Sequence, residues 1–114
     1  MSKVGFIGVG YMGYGMVKNL LKKHDVYIFA HKNRKPINKL LKIGAHEIKS
    51  YDELKNSNLD CLMLCVTNTP IALKVANKIK KYLQKKTIII DLTTHNKKGA
   101  TKMEQVFNSK NISY

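Results

Sequence analysis

The sequence predicts a doubly wound α/β domain built on a parallel sheet, on three observations. Short apolar runs alternate with segments of helical periodicity along all 114 residues. Two of the runs, 59–66 and 87–92, are largely apolar, and the first of them reads as a strand covered on both faces, as a parallel sheet requires. The first run, Val4-Gly-Phe-Ile7, is followed at once by Gly8-x-Gly10-x-x-Gly13 and then by an amphipathic segment. That order of strand, glycine loop and helix is the context in which such a motif carries meaning.

Each element follows from its residues. Residues 4–7 form the first strand, and a helix over 11–23 follows with Met12, Met16, Val17, Leu20 and Leu21 on its buried stripe. Residues 26–30 are the second strand. Pro36 suits a first helical turn, the helix runs to Ile43, and Gly44 is placed to cap it. A short third strand over 45–49 leads to Ser50-x-x-Glu53, a capping box for a brief helix. Residues 59–66 are the fourth strand, buried on both faces. Thr69 and Pro70 open a helix to about Leu83, with Ile71, Val75, Ile79 and Tyr82 on one stripe. The fifth strand is 87–92, a helix covers 98–107, and 112–114 begins a sixth strand. Right-handed crossovers give the strand order 3-2-1-4-5, a Rossmann-type sheet that ends before its sixth strand is complete.

Composition bounds the function. The length suits one domain, no apolar run approaches a membrane span, and no signal-peptide core precedes the first strand; the expectation is a cytoplasmic protein. Cys61 and Cys65 fall four residues apart on one strand, about 13 Å between Cα atoms. A disulfide needs roughly 4.4–6.8 Å, so both are expected reduced, and two ligands alone make no metal site. The net charge of +14 raises the question of nucleic acid. All but one of the 21 basic residues are lysine, the exception being Arg34, and they are spread over every predicted helix. Specific recognition favours arginine interleaved with aromatics; these lysines read as a solvated surface, so neither nucleic acid nor a membrane is an expected partner.

In a doubly wound sheet the ligand crevice lies at the carboxyl ends of strands one and four, where the order reverses. There Gly8 permits the tight turn, Gly10 lets the backbone lie against a pyrophosphate, and Gly13 lets the helix pack close to the strand. Val9, Tyr11 and Met12 complete the loop, and the helix N-terminus offers N–H groups to phosphates. Val66, Thr67 and Asn68 after strand four, and Thr93 and Thr94 after strand five, line the same crevice. The polar ones among them can bond ribose hydroxyls or a nicotinamide carboxamide. The choice between NAD and NADP turns on the end of strand two. A site for NAD usually carries Asp or Glu at that strand's end, about 20 residues past the glycines. Here no acid occurs between Asp25, read as preceding the strand, and Glu47; the segment is Ala30-His31-Lys32-Asn33-Arg34. Its cations would attract a 2′-phosphate, so NADP is the expected cofactor, with NAD as the alternative.

Gly8-Val-Gly-Tyr-Met-Gly13-x-x-Met16-x-x-Asn19-Leu20 resembles the opening signature of the β-hydroxyacid dehydrogenases, the family of 3-hydroxyisobutyrate dehydrogenase and of 6-phosphogluconate dehydrogenase-like enzymes. Asp91-Leu-Thr93-Thr94 is similar to its Asp-x-Ser-Thr segment, Cys65-Val-Thr-Asn68 to its loop after strand four, and Gly44-Ala45 to its Gly-Ala. The chain departs at Lys97 and Gly15, where the family often has proline, and at Thr93, where serine is commoner. Relatives that use NADP carry Asn-Arg-Thr where His31-Lys32-Asn33 stands. The resemblance implies an NADP(H)-dependent oxidoreductase moving hydride between nicotinamide and a small 3-hydroxyacid or semialdehyde. It implies that Thr94 helps to position substrate or nicotinamide. It also implies that the catalytic lysine, the substrate-binding glycine pair and an all-helical substrate domain lie past residue 114, that the full-length enzyme is a homo-oligomer, and that these 114 residues alone turn nothing over. No catalytic residue is assigned within the chain. A non-catalytic nucleotide-sensing or protein-interaction module of the same fold is the alternative.

Overall fold

The computed structural model describes residues 2–9, 11–29, 34–93 and 95–108. Five parallel strands, β1 (Lys3–Ile7), β2 (Asp25–Phe29), β3 (His46–Ile48), β4 (Cys61–Leu64) and β5 (Ile88–Asp91), form one sheet in the order β3-β2-β1-β4-β5. The central strand aligns Val4 with Val26 on one side and with Cys61 on the other. The expected order is the observed one. The start of a sixth strand, 112–114, lies outside the described residues.

Alternation along each strand sends neighbouring side chains to opposite faces, and two cores result. On one face Phe6, Val26 and Ile28 pack with Val17 of helix α1 (Tyr11–Leu20) and with Ile37 and Leu40 of α2 (Arg34–Lys42). On the other, Ile7, Phe29, Leu62, Leu64 and Ile89 meet Ala72, Ala76 and Ile79 of α3 (Thr69–Ile79) and Met103 and Phe107 of α4 (Lys97–Asn108). Helix α1 stops at Leu20 rather than residue 23, and its end closes through His24 N–H to the Leu20 carbonyl at 2.9 Å. Gly44 ends α2 at φ +112°, with Ala45 N–H reaching back to the Leu40 carbonyl at 3.1 Å, the left-handed cap expected of it. The segment opened by Ser50 is a 3₁₀ turn, Tyr51–Asn56; Glu53 accepts from the Lys49 and Ser50 N–H groups at 2.7 and 2.8 Å, while the Ser50 hydroxyl turns to Asp52.

Two expectations need correction. The stripe that α3 buries is Ala72, Ala76 and Ile79, and Ile71 is 42% exposed. Small alanines let the helix approach the sheet, and Ile71, in the first turn, faces outward. Nor is β4 covered on both faces, and neither is β5 beside it. Ile88, Ile90 and Leu92 are exposed, and Cys61 and Met63 beside them are half-buried. Helices α1 and α2 pack mainly over β1–β3, with Met63 and Cys65 half-buried at the edge of that core, which leaves a groove of about 430 Å³ among Met16, Leu20, Met63 and Leu92, rimmed by Lys22 and Lys23. Both cysteines are free, and burial with the neighbouring Asp60 pushes the Cys61 thiol above its ordinary pKa. Among the described residues no helix is long and apolar enough to cross a membrane, and no cluster of three His, Cys, Asp or Glu could hold a metal.

Candidate functional site

The carboxyl ends of β1 and β4 lie side by side, tied by Cys65 N–H to the Ile7 carbonyl at 2.9 Å. The chain leaves β1 through Gly8, whose φ of +103° belongs to a region that L side chains rarely adopt. A Cβ on Gly8 would stand 2.0 Å from the Cys65 carbonyl oxygen. Val9 is buried, and α1 begins at Tyr11, one turn after the strand ends. Gly13 lies under the loop: a Cβ there would meet the Gly8 carbonyl oxygen at 2.4 Å and the Phe6 ring at 3.0 Å. The first and third glycines therefore occupy positions where only a missing Cβ lets strand, loop and helix close on one another. The start of α1, with its unpaired N–H groups, is brought to the point where the strand order reverses. A donor set of backbone N–H groups at a helix start, with no carboxylate in the loop sequence, fits a pyrophosphate. Gly10 itself, His31, Lys32, Asn33 and Thr94 lie outside the described residues, as do the side chains of Tyr11 and Met12.

The polar residues after β4 and β5 divide by their bonding. Asn68 caps α3, its side-chain oxygen accepting from Ile71 N–H at 3.1 Å. Thr93 is 8% exposed, and its hydroxyl accepts from Val66 N–H at 3.1 Å, locking the two post-strand loops together. Both were expected to reach a ligand; the structure gives the Asn68 oxygen and the Thr93 hydroxyl internal work. Thr67, between them, is exposed at the rim.

Two constellations were not anticipated. The first is a buried relay. His95 Nε2 lies 2.6 Å from Asp91 Oδ2, both side chains only 5% exposed, and His95 Nδ1 lies 2.6 Å from the Thr69 hydroxyl. Asp91 Oδ1 also accepts from Thr93 N–H at 2.9 Å. The His95 ring thus bridges the Asp91 carboxylate and the Thr69 hydroxyl, one through each nitrogen. The relay pins the loop after β5 to the start of α3. The spacing of Asp91 and His95, four residues apart, was its one visible signal.

The second lies beside the end of β2. Arg34, the first residue of α2, makes a two-pronged ion pair with Glu47 of β3: Nη1 to Oε2 at 2.5 Å and Nη2 to Oε1 at 3.1 Å, with Asn38 Oδ1 at 3.4 Å from Nη2. The hydrogen bond to Arg34 holds the Glu47 carboxyl below the usual range and raises Arg34 in return. Glu47 stands opposite Ile28 in the ladder, one residue short of the end of β2, and Asp25 is the first residue of that strand rather than a residue before it. The end of β2 thus has an acid near it after all, supplied by the neighbouring strand.

A parallel sheet of this order with a glycine-lined turn at its switch point defines the class, a dinucleotide-binding α/β domain. Residues 3–114 match the family described as the NAD binding domain of 6-phosphogluconate dehydrogenase, and the chain belongs to that family. Its fold is also that of several solved enzymes. An imine reductase variant from Myxococcus stipitatus in complex with NAD+ superposes with a TM-score of 0.88 at 18% identity, covering 100% of this chain and 39% of its own. The 3-hydroxyisobutyrate dehydrogenase of Mycobacterium tuberculosis, with L-serine, gives 0.88 at 18% identity over 99% and 38%. Prephenate dehydrogenase from A. aeolicus, with hydroxyphenyl propionate and NAD+, gives 0.79 at 23% identity over 96% and 40%. The chain spans about two fifths of the length of each.

Proposed function

We propose that the chain is the NADP(H)-binding domain of an oxidoreductase that moves hydride between nicotinamide and a small 3-hydroxyacid or semialdehyde. The observation that carries the nucleotide half is the loop at the switch point, where Gly8 and Gly13 allow a close approach that no other residue fits. In this reading the start of α1 holds the pyrophosphate and the acid-free sequence from His31 to Arg34 surrounds the adenosine ribose. On the same reading Val66, Thr67, Asn68 and Thr94 serve the nicotinamide half, and Thr93 and His95 tie the β5–α4 loop to Val66 and Thr69. The bound dinucleotide supplies the hydride.

The substrate half follows from the family resemblance and from the share of each relative that this chain spans. Holding a carbonyl against nicotinamide accounts for roughly 7–11 kcal/mol of barrier, and a positioned acid contributes a further 10²–10⁴-fold or so. In this reading both come from an all-helical domain outside these 114 residues, and the full-length enzyme is a homo-oligomer. Calorimetric titration of the chain with NADPH and NADH tests the cofactor: NADPH is expected to bind more tightly, and Lys32→Asp to shift the preference toward NADH. Equal or tighter NADH binding by the unmodified chain overturns the NADP assignment. Steady NADPH oxidation by the 114-residue chain with succinic, tartronate or methylmalonate semialdehyde would overturn the division of labour between the two domains.

A further inference from the structure

We propose that Glu47 sets the strength of cofactor discrimination by holding the Arg34 guanidinium away from the 2′-phosphate, so that Arg34 serves the adenosine common to both dinucleotides. The proposal rests on the dinucleotide reading above. In sequence, Arg34 is the cation best suited to a phosphate at this position, because its fork of N–H donors matches phosphate oxygens two at a time. In the structure that fork is taken. Both terminal nitrogens donate to the Glu47 carboxylate, at 2.5 and 3.1 Å, and Nη2 also faces Asn38 Oδ1 at 3.4 Å.

The two partners differ in freedom. The Glu47 side chain is 12% exposed and is carried by a strand, whereas Arg34 is 44% exposed at the start of a helix. The carboxylate is the fixed member, and the guanidinium is drawn to it. The pair is also electrically neutral as a unit, so a 2′-phosphate that approached Arg34 would meet Glu47 at nearly the same distance. Glu47 reaches this place from β3, beside Ile28 near the end of β2. It therefore sets a negative charge close to where a site for NAD carries its acid, although no acid stands at the end of β2 in sequence. What remains available on Arg34 is the rest of its exposed side chain, suited to lie along an adenine ring, which NADPH and NADH share. Discrimination between them then falls to Lys32 and its sequence neighbours, with Glu47 working against it.

The test is a titration of NADPH and NADH into four forms of the chain: unmodified, Glu47→Gln, Arg34→Ala and the double variant. Glu47→Gln keeps the size of the side chain and removes its charge, which frees the fork. The NADPH-to-NADH affinity ratio is expected to rise about tenfold, the scale of one charge-assisted phosphate contact. Arg34→Ala is expected to weaken both cofactors by a similar factor and leave the ratio unchanged. In the Arg34→Ala background Glu47→Gln should no longer raise the ratio. A ratio that falls or stays constant in Glu47→Gln overturns the proposal, because Glu47 would then be aiming Arg34 at the phosphate or doing neither. A ratio that collapses in Arg34→Ala alone overturns it too, and that variant keeps the test decisive if Glu47→Gln does not fold. Failure of the unmodified chain to bind either dinucleotide overturns instead the functional reading beneath it.

Discussion

Gly8 and Gly15 sit seven residues apart and should respond to the same substitution with opposite signs. At Gly8 an alanine must adopt φ +103° and place its Cβ 2.0 Å from the Cys65 carbonyl oxygen and 2.6 Å from the carbonyl carbon. Holding a non-glycine residue in such a conformation costs about 1–3 kcal/mol. The clash cannot be relieved by a rotamer change, because the obstacle is backbone tied into the ladder through the Cys65 N–H bond to Ile7. Overpacking of this kind adds about 1–3 kcal/mol, so Gly8→Ala should lose about 2–6 kcal/mol, a large part of the roughly 5–15 kcal/mol that stabilises a domain. Gly15 lies within α1, is exposed, and has nothing within 4 Å of an added Cβ. There alanine removes the entropic penalty of a helical glycine, a gain of roughly 0.5–1 kcal/mol. Urea unfolding followed by circular dichroism reads both. Gly8→Ala within about 1 kcal/mol of the unmodified chain, or a destabilising Gly15→Ala, would refute the account of the glycine loop.

Gly10→Val should abolish dinucleotide binding in calorimetry while leaving the unfolding transition in place, because its side chain takes the space of the pyrophosphate; unchanged affinity removes the loop from the site. His95→Ala takes a partner from the buried Asp91 and Thr69 and should cost about 1–3 kcal/mol in urea unfolding; a loss below half a kilocalorie, roughly the spread of neutral surface changes, means the relay does not hold the β5–α4 loop. The Glu47 carboxyl is lowered in the native state by Arg34, so its contribution to stability is full above the unfolded value of about 4.3 and is lost as pH falls through the lower native value. The stability difference between the unmodified chain and Glu47→Gln should therefore be flat from neutral pH to about 5 and shrink on further acidification. A difference that grows in acid contradicts the ion pair.

The fold was legible because its signals are local. Glycines 8, 10 and 13, the cap at Gly44 and the apolar runs each report on neighbouring residues, and chirality then leaves one strand order. Size misled where spacing did not: Ile71 looks more buried than Ala72, yet close packing on a sheet rewards the smaller side chain, and Ala72 is fully buried. The apolar run of β4 promised two covered faces, but coverage depends on which helices lie over it, and α1 and α2 lie mainly over β1–β3. The site was legible in its backbone and less so in its side chains. Asn68 and Thr93 have the right chemistry at the right strand ends, and whether such groups face a ligand or the protein depends on neighbours such as Ile71 and Val66. The Arg34–Glu47 pair was hidden because the two residues are 13 apart in sequence and meet through the β2–β3 register. The His95 relay was hidden for the same reason, since it joins the end of β5 to the start of α3, 26 residues away.

Backbone amide NMR of the 114-residue chain titrated with NADPH tests the central claim most directly, because it locates binding without assuming where it occurs. Saturable shifts are expected to concentrate at Gly8 to Gly13, at Arg34 and at Val66 to Asn68, with little change at the groove by the carboxyl-terminal end of α3 among Asn77, Lys78, Lys81 and Tyr82. No saturable shift, or shifts gathered at that lysine-bearing groove while the glycine loop stays still, would contradict it.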